Sequence, residues 1–352
     1  MYSLTIDSIG EELELAEGQT ILDAILRAGL YVPYQCGHGL CSTCKVKVLE
    51  GEIDHGAASP FALMDFERDD GIALACCASA LSDLVIEADI DEDDDALSLP
   101  IEDYEAEVRD VVTLTPRIKG VRMSVPETFR FQAGQYINLQ VPGCDRPRAF
   151  SVGNAPQETG IVELHVSLVE GGAATTYMHE KLQPGDKLRF VAPMGRFFVR
   201  ESEDRPLIFI AGGSGLSSPK SMIQDLLAKE YSRPIFLFHG ARHRSELYYV
   251  DLFEGLSMRY PQFTYVPVVS APLPEEGWGG EAGFVHEAAN RVFDGKFEDY
   301  SAYLCGPPQM IDASITVLMR GRCFEKHIFT EKFITEKDAG KGGKRSPLFK
   351  SL

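Results

Sequence analysis

The sequence contains a single tryptophan and no internal repeat, and it is poor in basic side chains: 34 Lys and Arg stand against 53 Asp and Glu, a net charge of −19. Without a repeat, solenoid and propeller architectures are excluded. With so little positive charge, nucleic acid and anionic lipid are excluded as partners, because both would be repelled. No run approaches the roughly 18 consecutive apolar residues that a membrane-crossing helix needs, so no membrane association is expected. Met1 to Gly18 is acidic and lacks both a basic leader and an apolar stretch, so a cytoplasmic location is expected. Thiols stay reduced there, and cysteines in such a chain point to metal rather than to disulfides.

What is present is the composition of a globular protein, 44% hydrophobic and 25% charged over 352 residues. That length exceeds one ordinary core, which stops growing near about 250 to 300 residues, and three domains are expected. The acid is unevenly placed. Residues 1–100 carry 21 Asp and Glu but four Lys and Arg, a balance of −17 that leaves −2 for the rest. A protein partner with a basic patch would be steered toward that surface, although acidity that simply aids solubility explains the charge equally well.

Local patterns divide the chain further. Leu4 to Ile6 and Leu13 to Leu15 read as strands about a Ser8-Ile9-Gly10 turn. Thr20 caps a helix whose apolar positions Ile21, Leu22, Ile25 and Leu26 share a face, and Gly29 ends it. Alternating strands follow at Lys45 to Val48 and Leu84 to Ala88, giving a small α+β domain. The like-charged block Asp89 to Asp95, with Pro100 beyond it, is expected to form an extended linker. From Tyr104 to about Val199, short strands separated by turn residues, with one helix near Ala174 to Leu182, predict an antiparallel β-barrel. Beyond Asp204, strands at Leu207 to Ala211, Ile235 to Phe238, Thr264 to Val266 and Ala302 to Leu304 alternate with helical stretches, the signature of a parallel sheet covered on both faces.

Cys36, Cys41 and Cys44 are spaced C-x4-C-x2-C, and Cys76 follows after 31 intervening residues. This is the plant-type arrangement for a 2Fe-2S cluster: three thiolates converge from one tight loop, and the fourth closes the cage from another segment. Gly37 and Gly39 remove side chains where backbone amides must approach the sulfurs. A zinc site, the competing reading, usually takes its cysteines as two short pairs. Either Cys76 or Cys77 satisfies the spacing. Leu74-Ala75-Cys76 resembles the segment leading to the last ligand in plant-type ferredoxins, which favours Cys76.

Two further constellations follow. Arg148-Ala149-Phe150-Ser151 lies on a barrel strand, and Gly171-Gly172-Ala173-Ala174-Thr175 opens a helix about 20 residues on, where an arginine and a helix N-terminus would together hold a pyrophosphate. The strand Leu207 to Ala211 runs into Gly212-Gly213-Ser214-Gly215, with a helix starting near Ser217 to Pro219. A strand-to-helix turn that brings backbone close to a dinucleotide phosphate needs such glycines. As a Rossmann fingerprint it is incomplete: Ser218 stands at the third glycine position, and His239-Gly240-Ala241-Arg242 offers no acid at the end of the second strand.

These motifs, with Cys305-Gly306-Pro307-Pro308 and Glu331-Lys332-Phe333, resemble the ferredoxin-NADP reductase superfamily. The resemblance implies a flavin and nicotinamide site. Arg148 would bind the FAD pyrophosphate, Ser151 would lie by the flavin N5, and Thr175 would bind phosphate with the Gly172 region. Phe150 stands where the family has tyrosine; its ring can cover the isoalloxazine but cannot supply the hydroxyl. Val166 and Ala174 complete the implied flavin set. Gly212, Gly213, Ser214, Gly215, Gly306, Pro307 and Phe333 would bind the cofactors, with Cys305 beside the nicotinamide C4. Ser151, Cys305 and Glu331 are the implied catalytic residues. The chain departs from the family in running 19 residues past Phe333.

Over its whole length, the order ferredoxin, flavin, nicotinamide resembles single-chain reductases of bacterial multicomponent oxygenases. Ala58 to Asp65, Gly171 to Thr175 and the Ser346 to Lys350 tail resemble the phenol hydroxylase branch. The implied architecture is multidomain α+β and α/β: a β-grasp plant-type ferredoxin at 1–96, an antiparallel β-barrel FAD domain at 101–202, a parallel-sheet NAD-binding domain at 204–340, and a tail at 341–352. The implied cofactors are a 2Fe-2S cluster, FAD and NADH. NADPH stays open, since Arg242 and Arg244 could meet a 2'-phosphate. The implied partner is the di-iron hydroxylase component of a multicomponent monooxygenase, served by a monomeric reductase. The alternatives are the reductase of a toluene, alkane or alkene monooxygenase or of a ring-hydroxylating dioxygenase, and a non-catalytic iron-sulfur redox sensor.

Overall fold

The computed structural model describes residues 1–34, 37, 39–90 and 93–333. The described chain falls into two compact units, one ending at Glu102 and one beginning at Asp103.

In the first unit the strands Tyr2–Ile6 and Glu11–Leu15 form a hairpin, and Tyr2–Ile6 also pairs in parallel with Leu84–Glu87. Lys45–Glu50 joins antiparallel to Leu84–Glu87 on one side and to Ile72–Leu74 on the other, completing a five-stranded mixed sheet. The helix Ile21–Arg27 starts where Thr20 Oγ1 accepts the Asp23 amide proton, a cap worth about 1 kcal/mol. It ends at Gly29, which adopts φ +77°. Its Ile21 and Ile25 are fully buried, as are Leu4 and Ile6 of the sheet, each contributing roughly 1.5 to 3 kcal/mol of burial. This is a β-grasp arrangement. The acidic segment differs from a free tether at its far end: the Ile101 amide donates to the Leu26 carbonyl at 3.2 Å, and Ile101 is buried.

The second unit has two halves. In the first, six strands run in the order Arg148–Ser151, Tyr136–Gln140, Lys187–Met194, Glu102–Thr115, Ile118–Ser124, Ile161–Ser167. An antiparallel bridge between Val152 and Leu164 joins the two edges and closes a barrel. Val121, Met123, Ile137, Leu139, Val162 and Leu164 fill its interior.

In the second half six strands are ordered Glu281–Ala282, Phe263–Val269, Ile235–Ala241, Leu207–Gly212, Ser301–Gly306, Ile328–Lys332, all paired in parallel. Every residue of Leu207–Gly212 and Ser301–Gly306 is buried, as helices on both faces require. The helices Ser217–Ala228 and Val250–Arg259 pack on one face, Val285–Val292 and Pro308–Arg320 on the other. Strand order reverses at Leu207–Gly212, so the crevice beyond its carboxyl end, between the Gly213 turn and Gly306, is the position where such sheets take ligands.

Candidate functional site

In the first unit, two backbone bonds fix the segment that carries Cys76. The amides of Ile21 and Leu22, at the start of the capped helix, donate to the Ala78 and Ala75 carbonyls at 2.9 and 2.8 Å. The Ala75 amide in turn donates to the Cys44 carbonyl at 2.8 Å. Cys41, Cys44 and Cys76 are all buried, and none of the described cysteines forms a disulfide. The Cys44 and Cys76 thiols lie within hydrogen-bonding reach of each other; the bond from Cys76 brings Cys44 down to about 7 and pushes Cys76 up.

Cys77 Sγ lies 3.7 Å from Cys76 Sγ, on the side of Gly39. A side-chain carbon at Gly39 would stand 2.6 Å from Cys77 Sγ and 3.0 Å from the Ala57 carbonyl, and Gly39 has φ +80°. Only glycine fits there, and Cys77 packs beneath the loop. Cys36 lies outside the described residues. Among the described residues no group of three or more His, Cys, Asp or Glu could hold a metal ion. A dinuclear cluster distributes four thiolates over two irons and so calls for pairs, and the Cys44 and Cys76 pair behind a glycine cradle fits it.

In the second unit, three side chains from three segments meet at the carboxylate of a fourth. Glu331 Oε2 accepts from Ser218 Oγ at 2.8 Å, from Ser151 Oγ at 3.1 Å and from Cys305 Sγ at 3.4 Å. Ser151 ends the barrel strand Arg148–Ser151; Cys305 and Glu331 face each other in the register of their parallel strands. Burial pushes the Glu331 carboxyl above its usual range against these three donors, and pushes the Cys305 thiol up as well. The site can therefore hold a proton on Glu331 or Cys305 beside a barrel hydroxyl. Ser218 was not among the residues expected from sequence, where it stood only as the missing third glycine.

The glycine turn is locked to this site. Gly213 has φ +58°, and a side-chain carbon at Gly215 would stand 2.5 Å from the Cys305 carbonyl and 2.6 Å from Gly306 Cα. Gly212 ends its strand, and Ser214 and Gly215 are buried in the short helical turn Gly213–Leu216. Pro307 precedes the helix Pro308–Arg320, and the Phe333 amide donates to the Gly306 carbonyl at 3.0 Å.

The remaining flavin residues are placed less uniformly. Arg148 is exposed and donates to the Arg146 and Pro147 carbonyls at 2.9 and 3.2 Å. Phe150 lies half-buried against the barrel core. Val166 is fully buried inside the barrel, and its carbonyl lies 2.8 Å from His179 Nε2. Gly172 precedes the helix Ala173–Glu180, in which Ala174 is buried. The Thr175 hydroxyl accepts from the Val169 amide at 3.1 Å, closing the loop before the helix. Its first-turn amides are the remaining donors there.

A second polar cluster went unrecognised in the sequence. Glu163 and His165 lie on the barrel strand Ile161–Ser167, facing away from its interior, yet both are buried. Glu163 Oε1 takes Lys220 Nζ at 3.1 Å, Tyr249 OH at 2.8 Å and His165 Nε2 at 2.9 Å. Burial works against ionisation of Glu163, but these partners outweigh it and hold its carboxyl well below the usual range.

Family models match in the same order along the chain: a 2Fe-2S iron-sulfur cluster binding domain over residues 4–81, an oxidoreductase FAD-binding domain over 105–199, and an oxidoreductase NAD-binding domain over 209–315. The phenol 2-monooxygenase reductase component of Pseudomonas sp. (strain CF600) is 55% identical, and the phenol hydroxylase P5 protein of Acinetobacter pittii (strain PHEA-2) is 54% identical. Each alignment covers 100% of this chain and 99% of the relative. The crystal structure of an Amycolatopsis cytochrome P-450 reductase superposes with a TM-score of 0.84 at 33% identity, over 95% of this chain and 99% of that one. With thiols, carboxylate site and glycine turn placed as above, the chain belongs to the family of the phenol hydroxylase reductase components, 2Fe-2S and FAD oxidoreductases that serve oxygenases.

Proposed function

We propose that this chain oxidises NADH at the site built on Glu331 and delivers the electrons one at a time to the hydroxylase of a multicomponent phenol monooxygenase. The observation that carries the reading is the convergence of Ser151, Ser218 and Cys305 on Glu331, where the barrel meets the switch point of the parallel sheet. Arg148, Phe150, Val166, Gly172, Ala174 and Thr175 would hold FAD. Gly212 to Gly215, Gly306, Pro307 and Phe333 would hold the nicotinamide nucleotide, and Cys36, Cys41, Cys44 and Cys76 would hold the cluster. When bound, FAD and the cluster supply the conversion of a two-electron hydride donor into single electrons. The chain's own residues do the rest. Ser151 and Ser218 orient the Glu331 carboxyl, buried Cys305 closes the crevice, and Glu331 stores or releases a proton against Ser151.

The domains are proposed at 1–96, 101–202 and 204–340, with a tail at 341–352. A cytoplasmic monomer working with a di-iron hydroxylase completes the reading. High identity to two phenol hydroxylase reductases supports it. Propane 2-monooxygenase reductases, at 31% identity over 94% of the chain, support the broader class of partner.

Anaerobic titration of the purified protein with NADH, and separately with NADPH, tests the reading. NADH should bleach flavin and cluster absorbance in one polypeptide. Bleaching of neither, or bleaching by NADPH alone, would overturn it.

A further inference from the structure

The polar cluster on the outer face of Ile161–Ser167 reaches the glycine turn through a single side chain. Tyr248 is buried, and its hydroxyl lies 3.0 Å from His165 Nδ1 and 3.1 Å from the Gly213 carbonyl. Its ring stands edge-on to His165, with centroids 5.2 Å apart. His165 is fixed in turn by Glu163, which accepts from Nε2 at 2.9 Å and is anchored by Lys220 and Tyr249. Lys220 Nζ also donates to the Gly153 carbonyl at 2.9 Å, so the anchor is fastened to the barrel through one side chain and one backbone carbonyl.

The proton inventory makes the order of the chain definite. Glu163 is a pure acceptor when ionised, so His165 presents Nε2–H to it. In a neutral imidazole Nδ1 is then a lone pair, and burial keeps His165 toward neutrality by lowering its affinity for a second proton. The single hydroxyl proton of Tyr248 therefore lies between two acceptors, His165 Nδ1 and the Gly213 carbonyl. That pins the phenol oxygen over a residue held at φ +58°. The pinned turn is the one in which a carbon added at Gly215 would overlap the Cys305 carbonyl. A shift of a few tenths of an ångström at Gly213 is thus passed to Cys305 and to the Glu331 site.

We infer that Tyr248, oriented by His165 and Glu163, is a positioning residue for hydride transfer. It lets the flavin-side barrel set the height of the nucleotide-binding turn over Cys305. The inference rests on the reading that Gly212 to Gly215 hold the nicotinamide nucleotide, and goes beyond it in assigning work to side chains outside the residues proposed to hold the cofactors.

Tyr248→Phe removes one oxygen and keeps the ring packing. Flavin reduction by NADH and by 4-deuterated NADH, followed by anaerobic rapid mixing, is the measurement. The limiting rate should fall roughly tenfold, since misplacement by an ångström far from the chemistry can cost a hundredfold. The NADH concentration at half-saturation should change much less, the isotope effect should change, and FAD content and melting temperature should stay at wild type. His165→Gln should lose rate in the same direction, and the double variant should lose little more, because the two act in series. A Tyr248→Phe limiting rate within about twofold of wild type, or a loss that tracks missing FAD, would overturn the inference. Gly215→Ala separates the two levels. If it leaves NADH reduction of the flavin unchanged, the nucleotide-turn reading fails; if it slows reduction while Tyr248→Phe does not, only the positioning role fails.

Discussion

Ser151 and Glu331 are 180 residues apart in the chain and 3.1 Å apart in space, a barrel hydroxyl donating to a carboxylate on the last strand of the parallel sheet. The bond is what brings the barrel half and the nucleotide half to one reacting point. A hydrogen bond to an ionised or ionisable carboxyl is worth about 1.5 to 3 kcal/mol. Ser151→Ala should therefore slow flavin reduction by NADH by about 10- to 100-fold, while the protein keeps its FAD. Rapid-mixing traces at saturating NADH check this, and an unchanged rate would show that the hydroxyl only fills space.

Glu331 makes a prediction about pH. Burial raises its carboxyl above the unfolded value near 4.5. A group whose folded value is raised favours folding fully below the unfolded value, and that contribution is lost as pH rises through the folded one. Glu331→Gln cannot ionise, so it should be at least as resistant to heat as wild type at about pH 8, with the advantage shrinking as pH falls toward about 5. Melting followed by FAD fluorescence over that range is the check. A variant that is weakest relative to wild type at high pH would refute the sign.

The two adjacent cysteines have sulfurs 3.7 Å apart but differ in their other neighbours. Cys76 faces Cys44, whereas Cys77 Sγ fills the space over Gly39. Cys76→Ser should abolish the visible iron-sulfur absorbance or shift it strongly. Cys77→Ser should keep that absorbance with at most a small loss of stability. Iron and sulfide analysis of the two purified variants decides the matter.

Which parts were legible in the sequence follows from how far each signal reaches along the chain. The glycine turn and the strand-helix alternation are local, and each produced the element expected; the cysteine spacing is local too, and of its four ligands Cys44 and Cys76 lie side by side while Cys36 falls outside the described residues. Ser151, Cys305 and Glu331 were legible through motif resemblance. Glu163 and His165 were not: they alternate with Val162, Leu164 and Val166 as the wet side of a barrel strand would. Their cover comes from Lys220 and Tyr249, more than 50 residues later, and nothing local announces it. Ser218 was hidden for a similar reason, being visible only as a departure from a glycine pattern. Just past the acidic segment the Ile101 amide ties the chain back to Leu26, a contact that a charge run does not announce.

The uneven charge predicts a salt effect confined to one step. With −17 on residues 1–100 and −2 elsewhere, encounter with a hydroxylase that carries a basic patch would be steered over a Debye length of about 10 Å at 0.1 M salt. Substrate hydroxylation by the reconstituted system at limiting reductase should fall severalfold as salt rises from about 50 to 200 mM. NADH-dependent reduction of a small neutral dye by the reductase alone should stay level over the same range. Equal salt sensitivity of both assays would remove charge steering from the model.

The ion pair of Glu163 and Lys220 should matter more when broken than when replaced. Both side chains are buried, and Lys220 Nζ lies 3.1 Å from Glu163 Oε1. Removing one partner of such a pair leaves an uncompensated charge at a cost of about 3 to 5 kcal/mol, whereas exchanging both for apolar groups of similar size is often neutral. Glu163→Gln should therefore melt well below wild type near neutral pH, and Glu163→Met with Lys220→Met should recover much of the loss. The sign with pH is opposite to that of Glu331. The Glu163 carboxyl is held below its unfolded value near 4.5, so its contribution is present above that value and is lost as pH falls through the folded one. The deficit of Glu163→Gln should narrow in acid. A deficit that is constant with pH, or a double variant no better than the single, would mean that shape rather than charge holds this junction together.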